Sequence, residues 1–276
     1  MTRNLDAQTV QGFGDEWTRF DQKGLAEHER VELFNRYFHI FPWQLLPVGA
    51  VGFDLGCGSG RWAGLVAPRV HRLHCIDASQ SALSVACQNL AGLPNCEFHV
   101  ASVDQLPLDA DSMDFGYSLG VLHHVPDTEA GLRACVNALK PGAPFLLYLY
   151  YAFDNRPWWF RLLWRISNIG RQIISISPLG LRYMITQLIA AMVYYPLARL
   201  SWLLERLGVN VDCIPLSSYR SQSFYVMRTD ALDRFGTRLE QRFTASQIRR
   251  MMERAGLDRI TFSDSVPFWC AVGFKK

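Results

Sequence analysis

Residues 51–60 read Val-Gly-Phe-Asp-Leu-Gly-Cys-Gly-Ser-Gly, a β-type run ending at Asp54 and Leu55, then glycine at three alternate positions, Gly56, Gly58 and Gly60. Glycines gathered where a strand hands over to a helix let the backbone take positive φ, and let a ligand approach the main chain where a Cβ would collide. Few architectures ask for this. A strand, a glycine turn and a helix open a parallel α/β sheet, and a nucleotide-like molecule is the natural occupant of the turn.

The residues that follow repeat the strand-then-helix rhythm. A helix-like stretch runs from Arg61 to about Val66, and His71–Asp77 reads as a second strand ending in a carboxylate. Asp77 lies 21 positions beyond Gly56, placed to accept hydrogen bonds from both hydroxyls of a ribose. Asp77 could instead cap the next helix, but Ser79 can take that role and leave Asp77 to the ribose. A third strand, Cys96–Val100, leads to Val103 and Asp104. A fourth, Met113–Ser118, leads to Leu119-Gly120-Val121-Leu122-His123-His124-Val125-Pro126-Asp127. A fifth, Pro144–Tyr148, follows Leu139-Lys140-Pro141-Gly142. A carboxylate after strand three can accept from the exocyclic amine of an adenine, and Asp104 is the candidate.

The spacing of the third glycine separates two cofactor classes. A dinucleotide fingerprint needs glycine at position 61, where this chain has Arg61. The glycine turn, the Asp104–Asp109 segment, the run Val121–Asp127 and the Leu139–Gly142 turn instead resemble, in order and spacing, the class I S-adenosylmethionine (SAM) dependent methyltransferases of the quinone-biosynthesis type. The resemblance spans about 1–150 and 240–276. It implies a Rossmann-like, seven-stranded, mostly parallel sheet closed by a C-terminal antiparallel hairpin. It also implies that Asp54 and the turn of Gly56, Cys57, Gly58 and Gly60 hold the methionine end of SAM, that Asp77 and Ala78 meet the ribose and Val103 and Asp104 the adenine, and that Leu119, Gly120 and His123 stand at the mouth. His124 and His123 are the candidate bases. Trp17, Tyr148, Tyr151 and Trp158 are the candidate acceptor contacts. A scaffold that binds SAM without turnover would keep the same turn and Asp77. An oxidoreductase is disfavoured by Arg61.

Composition sets the outer limits. Of 276 residues 49% are apolar and 19% charged, with a net charge of +3, enough for one large core and without the basic excess of a nucleic-acid-binding protein. The seven cysteines are scattered, with no C-x-x-C, so reduced buried thiols are expected and no metal site is. Met1–Asp6 lacks an apolar leader core, which points to the cytoplasm. The oligomeric state is open.

Four segments follow along the chain. Residues 1–48 have helical spacing, with Val31, Phe34, Phe38 and Phe41 expected on one buried face. The aromatics Phe13, Trp17 and Phe20 suit either a lid over the site or a helix packed on the core. Residues 49–150 are the cofactor-binding repeat, and 229–276 complete its sheet with a helix opened by Thr244 or Ser246 and ended by Gly256. Residues 151–228 form an α-helical insertion. From Arg156 to Leu207 there are seven arginines, no lysine and one acid, Glu205. Three readings fit this segment: a helical insertion with its apolar surface buried, a cap forming an apolar acceptor pocket, and a membrane-surface element through 156–207. Under the last two the small-molecule acceptor is hydrophobic or lipid-linked; a polar sugar or other natural product is the alternative.

Overall fold

A computed structural model describes residues 4–276; Met1 to Arg3, and the part of the leader reading that falls on them, lie outside the described residues. Seven strands form one sheet: β1 (Val51–Leu55), β2 (Arg72–Asp77), β3 (Cys96–Val100), β4 (Phe115–Leu119), β5 (Pro144–Tyr148), β6 (Leu257–Phe262) and β7 (Cys270–Lys275), in the order β3-β2-β1-β4-β5-β7-β6. The first five are parallel to their neighbours, and β7 runs antiparallel to both β5 and β6. The order reverses direction between β1 and β4. In an open parallel sheet that switch leaves a crevice outside the carboxyl ends of the strands.

Helices α1 (Ala7–Arg19) and α2 (Glu27–Phe38) precede the sheet; α3 (Ala63–Val66), α4 (Gln80–Asn89) and α5 (Thr128–Ala138) connect its parallel strands. After β5 come α6 (Trp158–Ser175), α7 (Leu179–Ile189), α8 (Tyr195–Arg206) and α9 (Phe224–Gly236), then α10 (Ala245–Arg254) before β6. The chain divides into two compact units, one of residues 1–22, 30–152 and 239–276, the other of 23–29 and 153–238.

The central strands β1, β4 and β5 are nearly all-apolar because both of their faces are covered. On one face Phe53, Ile76 and Phe145 pack with Leu132 of α5 and Ile248 and Met252 of α10. On the other, Phe115 and Tyr117 meet an aromatic set from α2 and its continuation: Phe38 lies 5.2 Å from Tyr117 and Phe41 6.0 Å from Phe115, centroid to centroid. Two glycines make room for this. Gly52 is paired with Phe115 and Gly116 with Phe53, and a Cβ at either would fall 2.2 or 2.3 Å from the opposing ring. Phe34, Phe38 and Phe41 are buried as expected, but Val31 is 38% exposed and Leu33 takes its place inward. The α2 face is set by the larger rings. Helix α10 opens with a full capping box, Thr244 and Gln247 exchanging side-chain and backbone bonds, and ends at Gly256 with φ +99°.

The second unit is built differently. Its core is a small cluster around Ala190, Tyr194, Ala198, Met227 and Ala231. The only buried residues of α6 are Arg171 and Ser175, that of α7 is Thr186, and those of α8 are Ala198 and Ser201. Each of these polar groups has a partner: Arg171 donates to the distant Thr237 carbonyl at 2.8 Å, and the hydroxyls donate within their own helices, Ser175 to Gln172, Thr186 to Tyr183 and Ser201 to Leu197. Meanwhile Trp158, Leu162, Ile166, Ile169, Ile173 and Ile176 stand exposed. The expectation that the apolar surface of this insertion is buried is therefore corrected, because its inward positions are held by small and polar residues. No described helix is long and apolar enough to cross a membrane. A π-helical turn, Ala190–Tyr194, and Pro196 break the long apolar run.

Candidate active site

The turn after β1 is held by three glycines, each for its own reason. All have positive φ, +76°, +54° and +76°, a region costly for residues with a Cβ. A Cβ on Gly56 would meet Val121 at 2.3 Å, one on Gly58 the indole of Trp17 at 2.8 Å, and one on Gly60 Leu90 at 2.8 Å. Gly56 and Gly58 thus keep the turn open to the cleft and to α1, while Gly60 lets the chain settle against α4. The amides of Gly56 and Cys57 both donate to the Ile76 carbonyl, at 2.7 and 3.1 Å.

Asp77, at the carboxyl end of β2, is gripped by backbone. One carboxylate oxygen accepts from the Gly58 amide at 2.9 Å and the other from the Ser79 amide at 2.8 Å. Ser79 caps α4 through its own hydroxyl, so the cap does not occupy Asp77. Burial pushes the Asp77 carboxyl up from its ordinary range, against the two amide bonds that lower it. Asp54 is more extreme. Burial raises it to about 8, opposed by the neighbouring Tyr117 hydroxyl and assisted by the charge of Asp77. Its Oδ2 is buried without a hydrogen-bond partner, an unmet acceptor beneath the glycine turn.

Asp77 and the start of the glycine turn open onto a cleft with about 120 Å³ of space for water-sized groups. Of the residues expected at the cofactor, Gly56, Asp77, Ala78, Val103, Leu119 and Gly120 line it. Asp54, at the end of β1, and the turn residues Cys57, Gly58 and Gly60 are not on the lining. Asp104 is exposed and accepts from the Asn4 amide at 3.2 Å. Trp17 lines the cleft, as do Leu5, Thr9, Val10 and Phe13 from the same N-terminal segment. Tyr148 and Tyr151 are not in the lining: Tyr148 packs edge-on to Tyr37 and Tyr151 near Phe268. Trp158 belongs to the second unit, 70% exposed at the start of α6.

The two histidines separate clearly. His123 is fully buried and stacked on Tyr150 at 3.9 Å, and its Nδ1 accepts from the Tyr150 amide at 3.4 Å. Burial, then the nearby His124 and Arg242, hold its pKa well below the ordinary value, so it is neutral. His124 lines the cleft. Its Nδ1 lies 2.6 Å from the Leu239 carbonyl, and only a donor N–H suits that partner, which places the lone pair of the neutral ring on Nε2. Its ring packs 4.9 Å from Phe13.

Two features carried no readable signal. Segment 239–243 straps the histidine loop: besides Leu239, the Gln241 amide donates to the His123 carbonyl at 3.0 Å and its side chain to Val125 at 2.7 Å. Asn4 brackets the cleft, exchanging bonds of 2.7 and 2.8 Å with the backbone of Asp127. Both depend on pairings more than 100 residues apart, which periodicity does not reveal. The Lys140 turn has a visible purpose: its ammonium pairs with Asp114 at 2.7 Å, and Asp114 in turn accepts from the Val51 amide at 2.9 Å, so it ties three strand starts together. Away from the cleft, His74, Glu97 and His99 bring ligand atoms within 4.8 Å of one another, although Glu97 is already paired with Arg72 at 3.2 Å.

Residues 53–147 match a family model described as a methyltransferase domain. A ubiquinone biosynthesis O-methyltransferase of Xanthomonas axonopodis pv. citri is 34% identical over 106 residues, 38% of this chain and 44% of the relative. Phosphoethanolamine N-methyltransferase 2 of Caenorhabditis elegans is 29% identical over 126 residues, 44% of this chain and 27% of the relative. The chain spans less than half the length of these curated relatives. Among solved structures, a SAM dependent methyltransferase from Aquifex aeolicus superposes with a TM-score of 0.52 at 14% identity, covering 95% of this chain and 96% of that one, a likeness of fold.

Proposed function

We propose that this chain, which carries a class I SAM-dependent methyltransferase domain, transfers a methyl group to a small, hydrophobic or lipid-linked acceptor by in-line displacement. The observation that carries the reading is the cleft itself, which Gly56 and Asp77 line together with the apolar side chains Val10, Phe13, Trp17, Val121 and Val125. The glycine turn, which reaches the cleft at Gly56 and admits no Cβ at any of its three glycines, and the backbone-held Asp77 suit SAM. When bound, SAM supplies an electrophilic sulfonium methyl, so the protein's task is alignment and exclusion of water.

The chain's residues divide that task. Asp77, fixed by the amides of Gly58 and Ser79, is oriented to accept from ribose hydroxyls. Leu119, which ends β4, and Gly120 after it border the side where an acceptor enters. Phe13 and Trp17 shield the cleft and provide apolar contact. His124, held by the Leu239 carbonyl, takes the proton on Nε2 when the acceptor is a hydroxyl or another group that must lose one. His123 stays neutral and supports its neighbour by packing.

The test is transfer of labelled methyl from SAM into an extract, separated into organic-soluble, aqueous and macromolecular fractions, with Asp77→Ala as control. Label in the organic fraction that vanishes in the variant is the expected result. Label confined to the aqueous fraction would replace the apolar acceptor with a polar one, and SAM binding without label in any fraction would replace catalysis with a binding role.

A further inference from the structure

The second unit has its amphipathicity reversed. Along α6 the exposed residues Trp158, Leu162, Ile166, Ile169, Ile173 and Ile176 recur at three- and four-residue steps, forming one stripe. On α7 and the turn after it Leu181, Met184, Leu188 and Met192 repeat the pattern, Met192 being 74% exposed. On α8 Leu200, Leu203 and Leu207 do so again. The buried positions of the three helices are few, Arg171, Ser175, Thr186, Ala198 and Ser201, with Ala190 and Tyr194 in the turn between α7 and α8. A helix of a water-soluble protein shows the opposite order, and exposed apolar stripes of this extent mark an interaction site.

Charge identifies the occupant. Arg161 and Arg165, one turn apart on α6, are exposed beside the stripe, and the Arg206 guanidinium lies 3.7 Å over the exposed Trp202 ring. The single acid of this stretch, Glu205, is taken by Arg220 at 2.8 Å. A second copy of the chain docked on the same face would meet arginine with arginine. A polypeptide partner would need an equally large apolar face of opposite charge; a bilayer with anionic headgroups offers both properties in one surface. Helix α6, 18 residues or about 27 Å long, fits a helix lying flat at the acyl–headgroup boundary, with tryptophan and arginine at the headgroup level.

We propose that α6, α7 and α8 form a docking surface for an anionic lipid membrane, the apolar stripes entering the outer acyl region and Arg161, Arg165 and Arg206 facing the headgroups. This does not depend on the methyl-transfer reading, since a bound membrane surface can be measured in the absence of any acceptor.

The experiment is co-sedimentation of the full chain with vesicles of phosphatidylcholine alone and of a phosphatidylcholine–phosphatidylglycerol mixture, with tryptophan emission followed in parallel. Binding to the mixed vesicles with a blue-shifted emission, weak binding to the neutral ones and release by high salt is the expected result. The double variant Arg161→Gln/Arg165→Gln weakens it about thirtyfold, two side chains at roughly fivefold each. Ile166→Ser/Ile173→Ser weakens it about tenfold or more on both vesicle types. An unchanged circular dichroism spectrum and melting temperature show that each variant is folded. Absence of vesicle binding by the unaltered chain, or binding that neither double variant diminishes, overturns the proposal. So does self-association, abolished by Ile166→Ser/Ile173→Ser, in a chain that ignores vesicles; that outcome assigns the face to a second copy.

Discussion

The two units of this molecule obey opposite rules about where apolar side chains go. In the sheet unit Phe53, Phe115, Phe145 and Leu132 are sealed from solvent and most charges stand outside, although Asp54 and Glu16 are buried. In the insertion Arg171, Ser175 and Thr186 are sealed and Ile166, Ile169 and Ile173 stand outside. The difference shows that burial follows volume and local satisfaction as well as polarity: a hydroxyl bonded to a carbonyl of its own helix costs little to enclose, and an isoleucine is left outside when no cavity is shaped for it. The sheet unit is organised around its ligand cleft, and the insertion around the medium it faces.

The sharpest way to break this contrast is a matched pair. Phe145→Ala, in the fully buried core, should lower stability by about 3–5 kcal/mol. Ile166→Ala should change it by no more than about 0.5 kcal/mol. Denaturant unfolding of both measures this, and comparable losses would mean that the outer stripe is a hidden core.

Next in size is the catalytic pair. His124→Gln should lower kcat about a hundredfold with SAM affinity unchanged, where the acceptor must lose a proton. Ile173→Ser, in the insertion, should leave kcat toward a water-soluble acceptor untouched. Steady-state kinetics with isothermal titration of SAM would separate them, and a loss in SAM affinity for His124→Gln would turn it into a structural residue. Asp77→Ala follows, with SAM affinity falling about tenfold to a hundredfold as its oriented acceptor oxygens are lost; unchanged affinity would remove the ribose contact.

The smallest expected effect is in pH. Asp54 has a folded pKa of about 8 against an ordinary 3.8, so the folded state keeps a proton that the unfolded chain releases. That contribution is full below about 3.8 and lost as pH rises through the range up to about 8. Melting of the sheet unit should therefore weaken between pH 6 and about 8, and Asp54→Asn should flatten the trend. The buried polar groups of α6, α7 and α8 are hydroxyls and a guanidinium, so their amide-exchange protection should show no matching slope. A matching slope in the insertion would erase this distinction.

Much of the sheet unit was legible because local chemistry and global fold agree in it. The ends of β3 and β5 were readable to the residue, since a turn former adjoins each. The glycine turn needed no distant partner to be recognised, and the same holds for Asp77 with its cap at Ser79. Legibility failed where a residue's role is set by a partner far along the chain. Val31 fits the helical spacing of Phe34 and Phe38, yet larger rings claim the available space. Nothing near Asn4, Leu239 or Gln241 announces the bridge it makes. The insertion defeated pattern reading for another reason: a helical stripe shows that two faces differ, but not which one turns outward. Only Arg171 and Ser175, found inside, decide that for α6.

One consequence concerns time rather than place. Asn4 joins the exposed Asp104 and the backbone of Asp127 across the mouth of the cleft, while Phe13 and Trp17 line it from the same short segment. A ligand that left the cleft past this segment would first have to part these three contacts and the helix behind them. Its residence is then governed by the local opening free energy of residues 4–20, a quantity set by a few exposed hydrogen bonds and a handful of ring contacts. Turnover would be clocked by that opening, and a spent product and a fresh donor would wait for the same event.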